Sequence, residues 1–205
     1  MTERVATTAG LFPLPDWAKS QLSDLKGHQK HDLIDGSEGP EVRAAYERAR
    51  TELVEDQRDA GLDRIVEGQA RWDDFLAHPL AVHESVETGG IVRYYDNNNF
   101  YRDPRVVDDL TPGGDVGGSE APARQPEPSY GGSGDVAAEL DAATGLLEDD
   151  ESLQSVLPGP YTLAELATDE HYGDEAEFLA AIAEFLAGEV ETLPDHETLF
   201  LLDPS

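Results

Sequence analysis

The stretch that decides the fold reads Asp59-Ala-Gly-Leu-Asp-Arg-Ile-Val-Glu-Gly68. Gly61 ends a long amphipathic helical pattern that begins at Pro40, and the run from Leu62 to Val66 that follows is typical of a short buried strand. Upstream of this helix, Ala6 to Gly10 is a further β-capable run. Strand, helix and strand form one βαβ unit, which predicts parallel pairing with a right-handed crossover.

The first strand is expected to stop in the run Gly10-Leu-Phe-Pro-Leu-Pro15, because proline cannot continue a β-ladder. Asp16 can cap a short helix through Leu25, and Gly27 stops it. Two features interrupt the chain after the second strand. The β-rich runs Gly90 to Tyr95 and Phe100 to Tyr101 predict a hairpin, and residues 111–134, rich in Gly, Pro and acids, predict a flexible loop.

A second strand-and-helix unit follows the loop. A helix is expected at Val136 to Leu147, a strand at Leu153 to Leu157, a helical turn from Thr162, a helix at Ala176 to Val190, and an apolar strand at Leu199 to Leu202. The predicted fold class is therefore α/β, a partial (β/α)₈ TIM-type barrel of about four parallel strands. An unclosed parallel sheet leaves an exposed edge, so we expect the chain to continue or another chain to supply the remainder.

The charge is strongly negative: 44 acids stand against 14 bases, for a formal net charge of −30. This balance excludes binding to nucleic acid and to anionic membranes, both of which need Lys and Arg. Disorder is one reading of so acidic a chain. Because the acids alternate with periodic apolar residues, we favour a folded, salt-adapted protein whose self-repulsion is screened at high salt.

No stretch of the sequence is apolar and long enough for a transmembrane helix, and the first residues do not resemble a secretory signal, so a cytoplasmic location is expected. The chain contains no cysteine. Disulfides, thiolate nucleophiles and zinc sites built from cysteine are therefore excluded on this polypeptide.

Six segments, in this order, resemble the cobalamin-independent methionine synthase family and span nearly the whole chain. They are Gly10-Leu-Phe-Pro13, Asp59 to Gly68, Trp72-Asp-Asp74, Tyr94-Tyr-Asp-Asn-Asn-Asn-Phe-Tyr101, Leu157-Pro-Gly-Pro-Tyr-Thr162 and Leu201-Leu-Asp-Pro204. The details look most like the N-terminal barrel of that family, which helps to hold the folate, in a halophilic archaeal form. The resemblance implies that residues 1–205 are the N-terminal half of a UROD/methionine-synthase-like TIM barrel.

Three positions depart from the catalytic barrel of that family. Leu11 stands where the family has serine, Gln69 where it has glutamate, and Leu202-Asp203 where it has Asp-Glu before proline. The zinc ligands of the family (His, Glu and two Cys) lie beyond its fourth strand. The resemblance therefore implies a methyl-folate or related pterin as methyl donor and homocysteine as acceptor, with the zinc held outside this chain.

The resemblance also assigns ligand contacts. Lys19 and Arg93 fall where the N-terminal barrel meets the glutamate tail of the folate, and a chain of carboxylates needs fixed cations. Ordinary surface ion pairing is the alternative for both. Trp72 and Asp74 can stack on and hydrogen-bond a pterin ring, or they can be a core residue and a helix cap.

The remaining predicted contacts are Gln69, Asp96, Thr162 and Asp203. Asp96 lies in an aromatic segment that can line a cleft or simply pack a hairpin. Thr162 can cap the helix after the third strand, whose N-terminus can also receive an anion. A metal site at His28, His31 and Asp32 is conceivable but is not predicted.

Three functions stay open at this point. The first is a methionine-synthase-like methyltransferase in which this chain contributes donor binding and is inactive alone. The second is a non-catalytic folate-binding subunit that works with a separately encoded zinc barrel or completes its barrel by self-association. The third is a corrinoid-linked methyltransferase or decarboxylase-like barrel.

Overall fold

The computed structural model describes residues 4–22, 39–72, 77–81, 83–93, 100–110 and 136–203. Six helices and six strands lie in these ranges. In chain order they are α1 (Asp16–Gln21), α2 (Pro40–Asp59), β1 (Arg64–Val66), α3 (His78–Ala81), β2 (Val86–Arg93), β3 (Phe100–Val106), α4 (Val136–Thr144), β4 (Ser152–Pro158), α5 (Pro160–Leu166), β5 (Thr168–Asp169), α6 (Glu175–Thr192) and β6 (Thr198–Leu202).

Three strands form a parallel sheet in the order β1-β4-β6. β1 pairs with β4 in parallel register, from Arg64 opposite Ser152 to Val66 opposite Gln154. β6 runs the same way as β4, since the main-chain N–H of Glu197 donates to Leu153 at the start and that of Gly159 donates to Leu202 at the end. The predicted α/β class and the predicted strands at Leu62–Val66, Leu153–Leu157 and Leu199–Leu202 are confirmed.

The predicted first strand, Ala6 to Gly10, does not form a strand. One main-chain hydrogen bond joins it to the start of β1, from Asp63 N–H to the carbonyl of Ala6. The N–H of Ala6 donates instead to the side chain of Asp63 at 2.6 Å, and the carbonyl of Thr8 accepts from the side chain of Gln154 at 2.5 Å. Side chains thus replace the ladder partners that a strand would need.

The long helix α2 forms as predicted, because Pro40 occupies its first turn and apolar residues recur at helical spacing. One buried polar residue, Gln57, ties the helix to β1. Its side-chain amide donates to the carbonyl of Val66 and accepts the N–H of the same residue, both at 2.9 Å. Gln57 therefore satisfies the two main-chain hydrogen-bonding groups of Val66 that a neighbouring strand would otherwise pair with.

The predicted hairpin is present and longer than expected. β2 and β3 are antiparallel from Val86 opposite Val106 to Arg93 opposite Phe100, with an irregularity between Thr88 and Ile91. The two-residue strand β5 adds to β3 in parallel. No apolar run marked β5, and for that reason the sequence did not predict it.

The chain divides into two compact units, and each has its own core. The first consists of residues 1–73, 139–156 and 194–200, and the second of residues 74–138, 157–193 and 201–205. The first core packs Tyr46, Ala49 and Leu53 of α2 against Ala18 and Leu22, beside Phe12 and Trp17. The second core packs Phe178, Ile182, Phe185 and Leu186 of α6 against residues of α3, β3 and α5.

The termini of the predicted helices need small corrections. α1 begins at Asp16 with Pro15, not Asp16, in the capping position, and residues 23–38 lie outside the described ranges. α6 is capped by Asp174, whose carboxylate accepts the N–H groups of Ala176 and Glu177.

The predicted flexible loop at 111–134 also lies outside the described residues. Among the residues that the structure describes, no helix has the length and apolarity to cross a membrane.

Candidate functional site

The turn that follows β1 has an unusual backbone. Gly68 and Gln69 have φ of 94° and 51°, and in the segment that approaches this turn Gly10 and Leu11 have φ of 73° and 62°. Leu11 and Gln69 are the two non-glycine residues with positive φ in the described ranges. Such conformations cost of order 1–3 kcal/mol each and persist where the surroundings enforce them, most often at functional sites. We refer to Gly10, Leu11, Gly68 and Gln69 as the β1 rim.

A hydrogen bond joins the two halves of the β1 rim. The main-chain N–H of Leu11 donates to Oε1 of Gln69 at 2.8 Å. Glycine suits position 10, because its φ is positive and because a Cβ there would lie 2.5 Å from Gln69 Oε1 and displace that amide. Gly68 likewise lets Leu53 approach, since its Cβ would lie 3.0 Å from Leu53 Cδ1.

Four charged residues lie buried beneath the β1 rim, and we call them the charge cluster: Arg50 of α2, Glu67 and Arg71 of the turn, and Glu139 of α4. Their exposures range from 1 to 7%. Glu139 bridges the two arginines, with Arg71 Nη1 at 2.6 Å from its Oε1 and Arg50 Nη2 on its Oε2. Arg50 Nε faces Glu67 Oε1 at 3.6 Å. Buried charges of this kind need such pairing to offset their desolvation.

Glu67 connects the charge cluster to the backbone of the β1 rim. Its Oε2 accepts the N–H of Gln69 at 2.6 Å, and the N–H of Ala70 also donates to its carboxylate. Burial raises the pKa of Glu67 above its ordinary value, while the charge of Arg50 and these two N–H donors oppose the rise. The carboxylate therefore holds the turn in its left-handed conformation from below.

A second polar group lies where β4 ends. The N–H and Oγ1 of Thr162 both donate to Asp203 Oδ1 at 2.7 Å, so the carboxylate of Asp203 caps the first turn of α5 across 41 residues. Gly159 permits this approach, because its Cβ would lie 2.6 Å from Asp203 Cγ. The structure thus brings together the predicted contacts Thr162 and Asp203, but it uses them for each other. The helix α5 is therefore capped by Asp203, and Thr162 is the residue that donates to this cap, not the cap itself.

The other predicted contacts differ in position. Lys19 is half exposed on α1 and pairs with Asp16 at 3.1 Å, as in the surface ion-pair alternative. Trp72 is 5% exposed, as a core residue would be. Arg93 is the last residue of β2, and the structure describes its backbone but not its side chain. Asp74 and Asp96 lie outside the described residues. Gln69 alone of the predicted contacts lies in the β1 rim, and ligand contact by any of them stays a prediction.

Sequence reasoning missed the charge cluster. One signal was available, because Arg50 lies four residues after Tyr46 and four before Val54, within the apolar stripe of α2. An arginine on a buried helix face needs a buried carboxylate. Nothing local indicates that Glu139, which is 89 positions away in the chain, supplies it.

The thiolate zinc site of the family does not fit this chain, which contains no cysteine. In the described ranges, three exposed side chains could hold a metal ion together: Asp108, Asp109 and His171, with His171 Nε2 at 2.9 Å from Asp109 Oδ1. His28, His31 and Asp32 lie outside the described residues.

Neither a family model nor a curated protein matches the sequence. Solved structures do match the fold. A putative vitamin-B12-independent methionine synthase from Listeria monocytogenes matches with a TM-score of 0.60 at 16% identity, over 98% of this chain and 53% of that one. A B12-independent methionine synthase from Shewanella sp. W3-18-1, in complex with selenomethionine, matches with a TM-score of 0.53 at 20% identity, over 76% and 40%.

These likenesses establish the fold alone. The fold is similar to part of these methionine synthase structures, and the predicted α/β class is confirmed. The chain spans about half the length of these matched structures or less, so the activity of a whole methionine synthase is not transferred with the fold.

Proposed function

We propose that this chain binds the methyl donor of a methionine-synthase-like methyltransferase, which transfers a methyl group from 5-methyl-tetrahydrofolate or a related pterin to homocysteine. The observation that carries the proposal is the β1 rim. It is a strained turn after a parallel strand, held by buried charges, in a fold shared with methionine synthases. In barrels of this class the loops that follow the strands build the active site.

The chain's own residues would bind and orient the donor. Gln69 of the β1 rim would contact it, and Lys19 and Arg93 would supply cations for the carboxylates of the glutamate tail. Trp72, Asp74 and Asp96 are proposed on the family resemblance to lie by the pterin ring. Thr162 and Asp203 bind each other, and so we assign them first to shaping the turn after β4.

The thiol chemistry has to come from another polypeptide or segment. Zinc lowers the pKa of a bound thiol so that the thiolate exists at neutral pH, and the residues shown here offer no cysteine to hold it. We propose a catalytic-half protein as the partner that supplies the zinc site; self-association would complete the barrel but would bring no cysteine. The outer side of β6 supports this proposal. No described strand pairs there, and Leu201 is 53% exposed.

The absence of cysteine also favours the second candidate, a folate-binding subunit without catalytic groups of its own. Both candidates are tested by adding the chain to a zinc-loaded catalytic-half protein and homocysteine. Methyl transfer that depends on both proteins supports a donor-binding role with a separate zinc barrel. Donor binding without any effect on methyl transfer contradicts both candidates.

Donor binding is tested by calorimetric titration of methyl-folate polyglutamate into the protein in molar KCl, the condition that a net charge of −30 recommends. Lys19→Ala and Arg93→Ala are each expected to weaken binding by about 10-fold, the effect of losing one charge-assisted contact. Arg4→Ala removes an exposed cation of the same charge as the matched control. Equal affinities for all four proteins would remove the tail-binding assignment, and no heat of binding in any would remove the proposed function.

A further inference from the structure

We infer that the side-chain amide of Gln69 is a hydrogen-bond donor site for the ligand, so that the β1 rim takes a carbonyl or carboxylate oxygen and not an amino group. The inference rests on the proposed donor-binding function. It goes further by naming the kind of atom that this rim recognises.

The orientation of the Gln69 amide follows from its partner. The main-chain N–H of Leu11 lies 2.8 Å from one end of the amide, and an N–H can donate only to the oxygen. That end is therefore Oε1. The opposite end is Nε2, with two N–H groups, and flipping the amide would set two donors against each other.

The nitrogen of the Gln69 side-chain amide makes no hydrogen bond to the described residues. Within the described residues Nε2 has no hydrogen-bond partner, although the residue as a whole is 5% exposed. A nearly buried amide donor without a partner is costly, so an acceptor atom of a ligand that pairs with Nε2 would be favoured.

Gln69 is held firmly before any ligand arrives. Its N–H donates to Glu67 Oε2 at 2.6 Å, and its carbonyl accepts the N–H of Trp72 at 3.2 Å. The close approach of Gly10 restricts the amide from the other side. Because little freedom is left to lose, a hydrogen bond from Nε2 to a ligand costs little conformational entropy.

The rim therefore selects by hydrogen-bond polarity. An ammonium group has donors only and would meet donors, so it is rejected. A methyl-folate offers acceptor oxygens in two parts of the molecule, namely the carbonyl of the pterin ring and, in the p-aminobenzoyl-glutamate part, the amide carbonyl and the carboxylates. Either would accept from Nε2, and separate probes distinguish them.

The test follows the side-chain NH₂ signals of the ¹⁵N-labelled wild-type protein in molar KCl, with the Gln69 pair assigned through its backbone. Three probes are titrated separately: 5-methyl-tetrahydrofolate, 6-methyl-tetrahydropterin, which has no tail, and p-aminobenzoyl-glutamate, which has no ring. The Gln69 pair is expected to shift with the folate and with whichever fragment carries the bound oxygen, while the pair of exposed Gln21 stays in place.

A matched pair of variants gives the size of the effect. Gln69→Glu keeps an oxygen for Leu11 and removes the donor, and it is expected to weaken folate binding about 10- to 100-fold. Gln21→Glu makes the same amide-to-carboxylate change at an exposed position of α1 and is expected to leave affinity unchanged. The wild-type titration decides the question even where Gln69→Glu does not fold.

The outcomes separate the two claims. The hydrogen-bond donor site is overturned if the folate binds while the Gln69 NH₂ signals do not shift, or if wild type and folded Gln69→Glu bind with equal affinity. The proposed function then still stands. Failure of the wild type to bind the folate overturns the proposed function and the donor site with it.

Discussion

The turn after β1 and the turn after β4 both place polar side chains behind a parallel strand, yet the two turns are built in opposite ways. After β4, the N–H and hydroxyl of Thr162 are both satisfied by Asp203. After β1, Gln69 is bound at its oxygen and left open at its nitrogen, in a left-handed conformation. A polar residue behind a strand is therefore a support or a recognition group according to whether its hydrogen bonds are already used.

The two turns also differ in what holds them. Gly159 before α5 has an ordinary extended conformation, so the turn after β4 stores no strain in the left-handed region. The β1 rim has four residues with positive φ, two of which (Leu11 and Gln69) are not glycine, and a buried set of charges lies beneath them. Strain at these two residues has to be offset by the structure around them, and the charge cluster holds the turn through the contact of Glu67 with the Gln69 N–H.

The largest expected effect comes from removing the carboxylate that Arg50 and Arg71 share. Glu139→Ala is expected to lower the free energy of unfolding by about 3–5 kcal/mol, because it takes the counter-charge from buried guanidinium groups. Denaturant unfolding in molar KCl, followed by circular dichroism, measures the change.

The control for this prediction is Glu151→Ala, which removes the carboxylate paired with the partly exposed Arg58. That change is expected to cost less, about 1–2 kcal/mol, because the side chains of Arg58 and Glu151 are 28% and 15% exposed and keep part of their hydration. Similar losses for the two variants would mean that the charge cluster is not the main support of the β1 rim.

A smaller effect isolates the contact inside the β1 rim. Gly10 and Gly61 both have a φ of 73°, but a Cβ at Gly61 meets nothing within 4 Å, whereas one at Gly10 meets Gln69 Oε1. Gly61→Ala is expected to cost about 1–2 kcal/mol from backbone strain alone. Gly10→Ala is expected to cost about 1 kcal/mol more, because the displaced amide loses its bond to Leu11.

Thermal unfolding of both glycine variants tests this difference directly. The identical backbone angle makes the pair self-controlled, since strain cancels between them. If Gly10→Ala proved no more costly than Gly61→Ala, the hydrogen bond across the β1 rim would contribute nothing to stability.

The elements that could be predicted from the sequence are those whose signals are local. α2 and α6 show apolar residues at helical spacing, and β1, β4 and β6 each contain a short apolar pair or run that ends at Gly, Pro or a polar residue. The first predicted strand failed because its pairing was decided elsewhere, by Asp63 and Gln154, whose side chains take its hydrogen bonds.

The site was less predictable than the fold, for the same reason. Gln69 could be singled out because it follows a glycine behind a predicted strand. The charge cluster could not, since Arg50 and Glu139 meet across 89 positions, and neither could the capping of Thr162 by a residue 41 positions away. Sequence patterns indicate which residues follow a strand. They do not indicate which hydrogen-bonding groups of those residues are already paired with distant parts of the chain.

The smallest expected effect tests the turn after β4. Thr162→Val removes the hydroxyl that donates to Asp203 but keeps the N–H and the shape of the side chain, so a loss of about 0.5–1.5 kcal/mol is expected. Thr162→Ser retains the hydroxyl and serves as the control, with a stability close to wild type. Because Asp203 then keeps one of its two donors, α5 should remain helical by circular dichroism. A loss as large as that of Glu139→Ala would show that the turn after β4 is as strained as the β1 rim. The contrast between a turn whose polar groups bind each other and a turn with an open hydrogen-bonding group would then no longer hold.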